Sequence, residues 1–203
     1  MRHVWMRSVM VGIVCAMLIG CATSPPKRQG NLCDIFREKP SWYEDALDMQ
    51  KQWGTPIQIA MAIIKQESSF QHDAKPPRNY VLGFIPWGRV SSAYGYAQAQ
   101  DPAWEDFESA TGTWGSRSDF DDALMFVGWY TYETRRQLGI SLWDTYHQYL
   151  AYHEGRGGYK RGTYRAKPTL LRVARKVEQQ AKDYGWQLKQ CRQELEDNRS
   201  WFF

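Results

Sequence analysis

The segment TPIQIAMAIIKQESSF, residues 55–70, holds one carboxylate, Glu67, and places it near the end of an otherwise apolar run. Ile57, Ala60, Met61 and Ile64 recur at three- and four-residue spacing, and counting 60, 64, 67 brings Glu67 onto the edge of that stripe. Thr55, Pro56 and Gln58 predict the start of the helix: a hydroxyl to cap free amides, a ring suited to the first helical position, and a reciprocal side-chain cap. An acid on such an edge faces apolar surroundings and the negative end of the helix dipole. Both disfavour its charged form and raise its pKa, and a carboxyl that keeps its proton near neutral pH is a general acid. The competing reading is structural: a buried acid paired with a lysine or arginine, or one that reaches water from the edge of the stripe.

Two further segments follow in order. SAYGYAQAQ, residues 92–100, contains Gly95, Tyr96 and Gln98; YLAYHEGRGGY, residues 149–159, contains Tyr152 and runs into a glycine-rich turn at Gly155. Together with KQESSF these resemble the lytic transglycosylase domain of the SLT type, a lysozyme-like fold that cleaves bacterial cell-wall glycan. The resemblance covers residues 41–165, and the ordered set of three segments is more specific than any one alone. It implies Glu67 as the catalytic acid and Ser68, Gly95, Tyr96, Gln98 and Tyr152 as substrate-binding or positioning residues. It also implies cleavage between N-acetylmuramic acid and N-acetylglucosamine with closure of a 1,6-anhydro ring. Tyr96 and Ala97 stand where the family has Leu-Met, and His153 and Glu154 where it has Asn-Ala. Glu154 thereby leaves open a hydrolytic, lysozyme-like reaction, in which a second carboxylate activates water. A third reading is a lipoprotein that binds peptidoglycan without cutting it.

The elements expected around these residues are helices. Ser41 with Glu44 predicts a helix closing near Gly54, and Ser118 with Asp121 one running to Gly139. Ser141 with Asp144 predicts another ending at Gly155, and Pro168 with Thr169 a final amphipathic stretch reaching Gly185. Alternating β-branched runs are nearly absent, so the expected class is mainly α, one domain over residues 33–203. Residues 71–90, with three prolines and two glycines, predict an ordered loop inserted after the catalytic helix and beside the cleft. Its Tyr80, Phe84 and Trp87, or the nearby Tyr94, Tyr96 and Trp104, offer aromatic faces to sugar rings, although aromatic side chains serve cores at least as often.

Arg2 and Arg7 precede an apolar run from Val9 that ends in Leu18, Ile19, Gly20 and Cys21. That pattern predicts a lipoprotein signal peptide over residues 1–20, lipidation at Cys21 and a polar tether through residue 32, reaching about 35 Å when extended. Ala22 after the cysteine resembles the pattern of lipoproteins sent to the outer membrane, so the expected location is that membrane, facing the periplasm. Of the four cysteines, Cys15 leaves with the signal and Cys21 carries lipid, and Cys33 and Cys191 remain as an expected disulfide in an oxidising compartment. Such a bridge contributes about 4 kcal/mol in the chain-entropy model.

Loss of Arg2 and Arg7 lowers the 26 basic residues to 24, against 22 acidic ones. So small an excess gives no support to nucleic-acid binding; the basic run from Lys160 to Lys176 reads as a solvated helix face. No metal-ligand spacing appears, so no metal or cofactor is expected. The expected partners are peptidoglycan strands and, through Cys21, outer-membrane lipid, with the chain a monomer.

Overall fold

The computed structural model describes residues 24–81 and 85–200. The expected signal peptide and lipidated Cys21 lie outside that range, and of the inserted aromatics the side chains of Tyr80, Phe84 and Trp87 do too. Among the described residues the order is α1 (Leu32–Glu38), α2 (Pro40–Trp53), α3 (Ile57–Ser68), β1 (Arg78–Val81), β2 (Ile85–Arg89), α4 (Asp101–Thr111), α5 (Phe120–Leu138), α6 (Thr145–Arg161) and α7 (Pro168–Ser200). A short 3₁₀ turn, Thr163–Ala166, joins the last two helices. The architecture is mainly α.

Helix α3 is the centre of the core. Ile57 and every residue from Ile59 to Ile64 are buried, because α7 packs on one side of it and α5 on another. Its start differs from the expected cap. Pro56 occupies the cap position, while Thr55, fully buried, turns its hydroxyl to Thr131 Oγ1 at 2.7 Å and thereby ties the start of α3 to α5. Burial decided this: an inward hydroxyl needs a partner, and Thr131 supplied one that water-facing amides did not.

The end of α3 is unusual. Ser69 and Phe70 both have positive φ, 52° and 59°, in the left-handed region that non-glycine residues rarely enter. Phe70 is nevertheless completely buried, its ring 5.7 Å from that of Trp42. Its packing holds the turn that ends α3 directly after Glu67 and Ser68.

Residues 71–90 are not loop throughout. Arg78–Val81 pairs antiparallel with Ile85–Arg89, with an irregularity between Arg78 and Tyr80, so the insertion contains a β-hairpin. A four-residue strand interrupted by a bulge leaves too little alternation to be seen in the sequence.

Helix α7 runs through Gly185 to Ser200, and α3 approaches that glycine closely: a Cβ there would meet Gln58 Cγ at 3.4 Å. The N-terminal segment is stitched to the same helix. Cys33 and Cys191 form a disulfide with Cα atoms 6.0 Å apart, Leu32 N–H donates to Gln187 Oε1 at 2.8 Å, and Arg37 forks onto Glu194 at 2.8 and 2.6 Å. Helices α1 and α7 thus form one clamp outside α3.

Candidate active site

Glu67 lies in the last turn of α3, where it lines a cavity of about 590 Å³ with Tyr149, His153, Lys167, Leu170 and Val173. The residue is half-buried, but its Oε1 is closed off from solvent and has no hydrogen-bond partner. Burial raises the carboxyl to about 7, and the neighbouring Tyr149 hydroxyl pulls in the opposite direction. Desolvation wins, so near neutrality a large share of Glu67 carries its proton. Tyr149 is itself buried, and burial together with the neighbouring carboxylate pushes its phenol well up, so it stays a neutral donor. Sequence reasoning passed over Tyr149. The signal available for it was its place three residues before Tyr152, on the same side of α6.

Tyr152 stands close enough to Glu67 for the acid's charge, after burial itself, to help raise its phenol. Its hydroxyl, however, donates to the Ala97 carbonyl at 2.6 Å, and its ring lies 5.0 Å from that of Tyr130. Tyr152 therefore joins α6 to the 92–100 segment. That segment is a tight turn closed by the bridge between Tyr94 and Ala99 and held by Arg117, which donates to the Ala99 carbonyl at 3.0 Å. Gly95 is required there: it has φ 73°, and a Cβ would sit 1.9 Å from the Arg117 carbonyl oxygen.

Gln98, with φ 49°, directs its amide nitrogen to the Ala74 and Gly95 carbonyls at 2.9 and 3.0 Å, so what it can offer a ligand is its carbonyl oxygen. It borders a second cavity, of about 300 Å³, with Phe126, Tyr130, Tyr152, His153 and Glu154. His153 lines both chambers.

Other residues singled out in the sequence lie elsewhere. Ser68 is buried and donates to the Ile64 carbonyl at 3.2 Å in its own helix. Tyr96 is buried in the core, its ring edge-on to Trp42 and Phe120, which stack on each other. Trp104 is also core, with its indole N–H on Glu108 at 2.9 Å, and Tyr94 lies between Lys75 and Arg117. Glu154 is enclosed by its neighbours. Its side chain is 4% exposed and its carboxylate accepts from Lys167 at 2.7 and 2.9 Å and from the Thr163 hydroxyl. Burial alone would raise this acid, but the hydrogen bonds from Lys167, Thr163 and His153 outweigh it and hold its pKa below the ordinary value. Arg156 lies over the Tyr130 ring, 4.5 Å from its centroid.

Among the described residues no group of three or more His, Cys, Asp or Glu is placed to hold a metal ion, and no helix is long and apolar enough to cross a membrane.

A helical domain whose central helix brings a desolvated glutamate to a surface cavity has the arrangement expected of a glycan-cleaving enzyme of lysozyme-like fold. The family described as the transglycosylase SLT domain matches residues 9–191, and the chain belongs to it. Its activity is therefore of the lytic transglycosylase type, directed at peptidoglycan. Among curated proteins none matches this chain.

Proposed function

We propose that the protein cleaves the β-1,4 bond between N-acetylmuramic acid and N-acetylglucosamine, with formation of a 1,6-anhydro-N-acetylmuramic acid end, and that Glu67 is both acid and base. The observation that carries this reading is the carboxyl of Glu67: raised to about 7, with one oxygen unpartnered, lining the larger of the two chambers. Glu67 gives its proton to the glycosidic oxygen as the bond to C1 breaks, and the substrate's own N-acetyl carbonyl assists departure. The 6-hydroxyl oxygen then attacks C1, and the Glu67 carboxylate takes that hydroxyl's proton. The acid ends as it began, protonated, and no water is consumed.

Hydrolysis would need a second carboxylate free to activate water. Glu154 is the acid bordering the cleft, and its ion pair with Lys167 and the bond from Thr163 leave it engaged, which favours transglycosylation. Tyr149 sets how tightly Glu67 holds its proton, and Gln98 and Tyr152 shape the second chamber.

Residues 1–20 act as a signal peptide in this reading, and acylated Cys21 anchors the domain to the periplasmic face of the outer membrane. The short tether keeps the cleft near that membrane, where it meets the wall. Cys21→Ser moves the chain from the membrane fraction to the soluble one.

Mass spectrometry of fragments released from purified peptidoglycan tests the chemistry. Products lighter by one water than reducing muropeptides, and absent with Glu67→Gln, are expected. Reducing ends would indicate a hydrolase, and unchanged release by Glu67→Gln would remove the acid from its assigned role.

A further inference from the structure

His153 and Glu154 stand where this chain departs from the family pattern, and the fold builds around them. Gly155, directly after them, has φ 71° and ψ 153°, so α6 kinks there and turns its second half toward the 3₁₀ segment. The kink closes a seat for the Glu154 carboxylate. Thr163 and Lys167 donate to it from beyond the end of α6, and Thr163 also donates to the Gly158 carbonyl at 3.1 Å. A side chain at Gly158 would press on this seat, since a Cβ there meets Glu154 Cβ and Thr163 Oγ1 at 3.2 Å.

Held in place, Glu154 has one remaining neighbour, His153, with Nδ1 3.2 Å from Oε1. A carboxylate accepts only, so Nδ1 carries the hydrogen and in the neutral ring Nε2 is left as an acceptor. The imidazole is 47% exposed while the carboxylate behind it is 4% exposed, an outward-facing ring with a buried support. Nε2 makes no hydrogen bond among the described residues. The ring lines both chambers and lies 6.3 Å from that of Tyr149, the neighbour of Glu67. His153 is the one residue that the two linings have in common.

We propose that His153 contacts the substrate, its Nε2 accepting a hydrogen bond from a glycan hydroxyl where the two chambers meet, and that Glu154 is the positioning residue that holds the ring in that orientation. The proposal rests on the glycan-cleaving reading of the same cleft. It gives Glu154 a role that needs no free carboxylate, and it makes the fixed ring the feature that registers the sugar chain against Glu67.

Binding of soluble, uncrosslinked glycan strands, measured by calorimetry in the Glu67→Gln background, tests it without turnover. His153→Ala weakens binding about tenfold, the size of one lost hydrogen bond. His153→Gln, whose amide reaches the place of Nε2, recovers most of that loss; His153→Asn, which reaches only to Nδ1, does not. Glu154→Gln weakens binding by a smaller factor and adds nothing once His153 is alanine. In the active chain His153→Ala raises KM and leaves kcat within about threefold.

Binding within twofold of the parent for His153→Ala overturns the contact. An equal cost of Glu154→Gln with and without His153 overturns the positioning role. The side chain of His153 is exposed, so its replacement leaves folding intact, which circular dichroism checks. If the Glu67→Gln parent does not bind glycan at all, the reading of the cleft itself falls, and this inference with it.

Discussion

Glu67 and Glu154 line separate chambers that share His153, and they are opposites. Glu67 comes from a helix buried nearly all round, and no cation offsets the burial of its carboxyl, which has the phenols of Tyr149 and Tyr152 nearby. Glu154 is as well enclosed but meets an ammonium, a hydroxyl and an imidazole. Burial acts on both in the same direction; the count of donors decides the outcome. One acid keeps its proton up to about neutral pH, and the other is an anion well below it. Burial by itself therefore says little about which glutamate does chemistry.

The two acids differ most in turnover. Glu67→Gln lowers kcat by about 10³, within the usual range for a general acid, measured as fragment release under saturating peptidoglycan. Glu154→Gln costs far less. A comparable loss from the two would erase the distinction.

The same two substitutions act oppositely on stability, and with opposite pH dependence. Glu67 is raised on folding from 4.5 to about 7, so it destabilises the fold once pH passes the unfolded value, with the full penalty present above the folded one. Removing its charge should stabilise the protein by about 3 kcal/mol at pH 8.5 and by almost nothing at pH 4, read by urea denaturation. Glu154 is lowered on folding, so its contribution is stabilising above the unfolded pKa and is lost as pH falls through the folded one. Glu154→Gln should therefore destabilise by about 2 kcal/mol at pH 7, the cost of lost hydrogen bonds to a charged group, with the difference fading in acid. Equal signs for the two variants at pH 8 would break the comparison.

The smallest effect is a tuning one. The Tyr149 hydroxyl favours the ionised form of Glu67, so Tyr149→Phe removes the interaction that opposes desolvation. The alkaline limb of the kcat/KM profile should move upward by about one pH unit at most, with little loss at the optimum. A downward move would contradict the assigned direction.

Much of the fold was legible because it rests on local pattern. The stripe that carries Glu67 inward could be counted along the chain, and helices closing at Gly54 and Gly139 were marked by the glycines that adopt positive φ there. What was hidden depends on residues far apart. The partners of Glu154 lie nine and thirteen residues on and are reached only because α6 kinks at Gly155, where the expected helix end proved to be a bend in a longer one. Gly185, read as a terminus, is a point of close approach inside α7, and only the packing of α3 reveals that. Tyr96 carried a motif position, yet its ring completes an aromatic cluster assembled by α2 and α5. Motif spacing identifies which segments meet; it does not say which side chains in them face the cleft.

The most direct test is the titration of Glu67 itself, followed by the ¹³C resonance of its side-chain carboxyl with Glu67→Gln to assign the signal. A midpoint near 7 is the result expected of an acid desolvated by α3 and held by Tyr149. A midpoint near 4.5 would mean that water or a cation reaches the carboxyl, and Glu67 would then be no better suited to protonate a glycosidic oxygen than any acid on the surface.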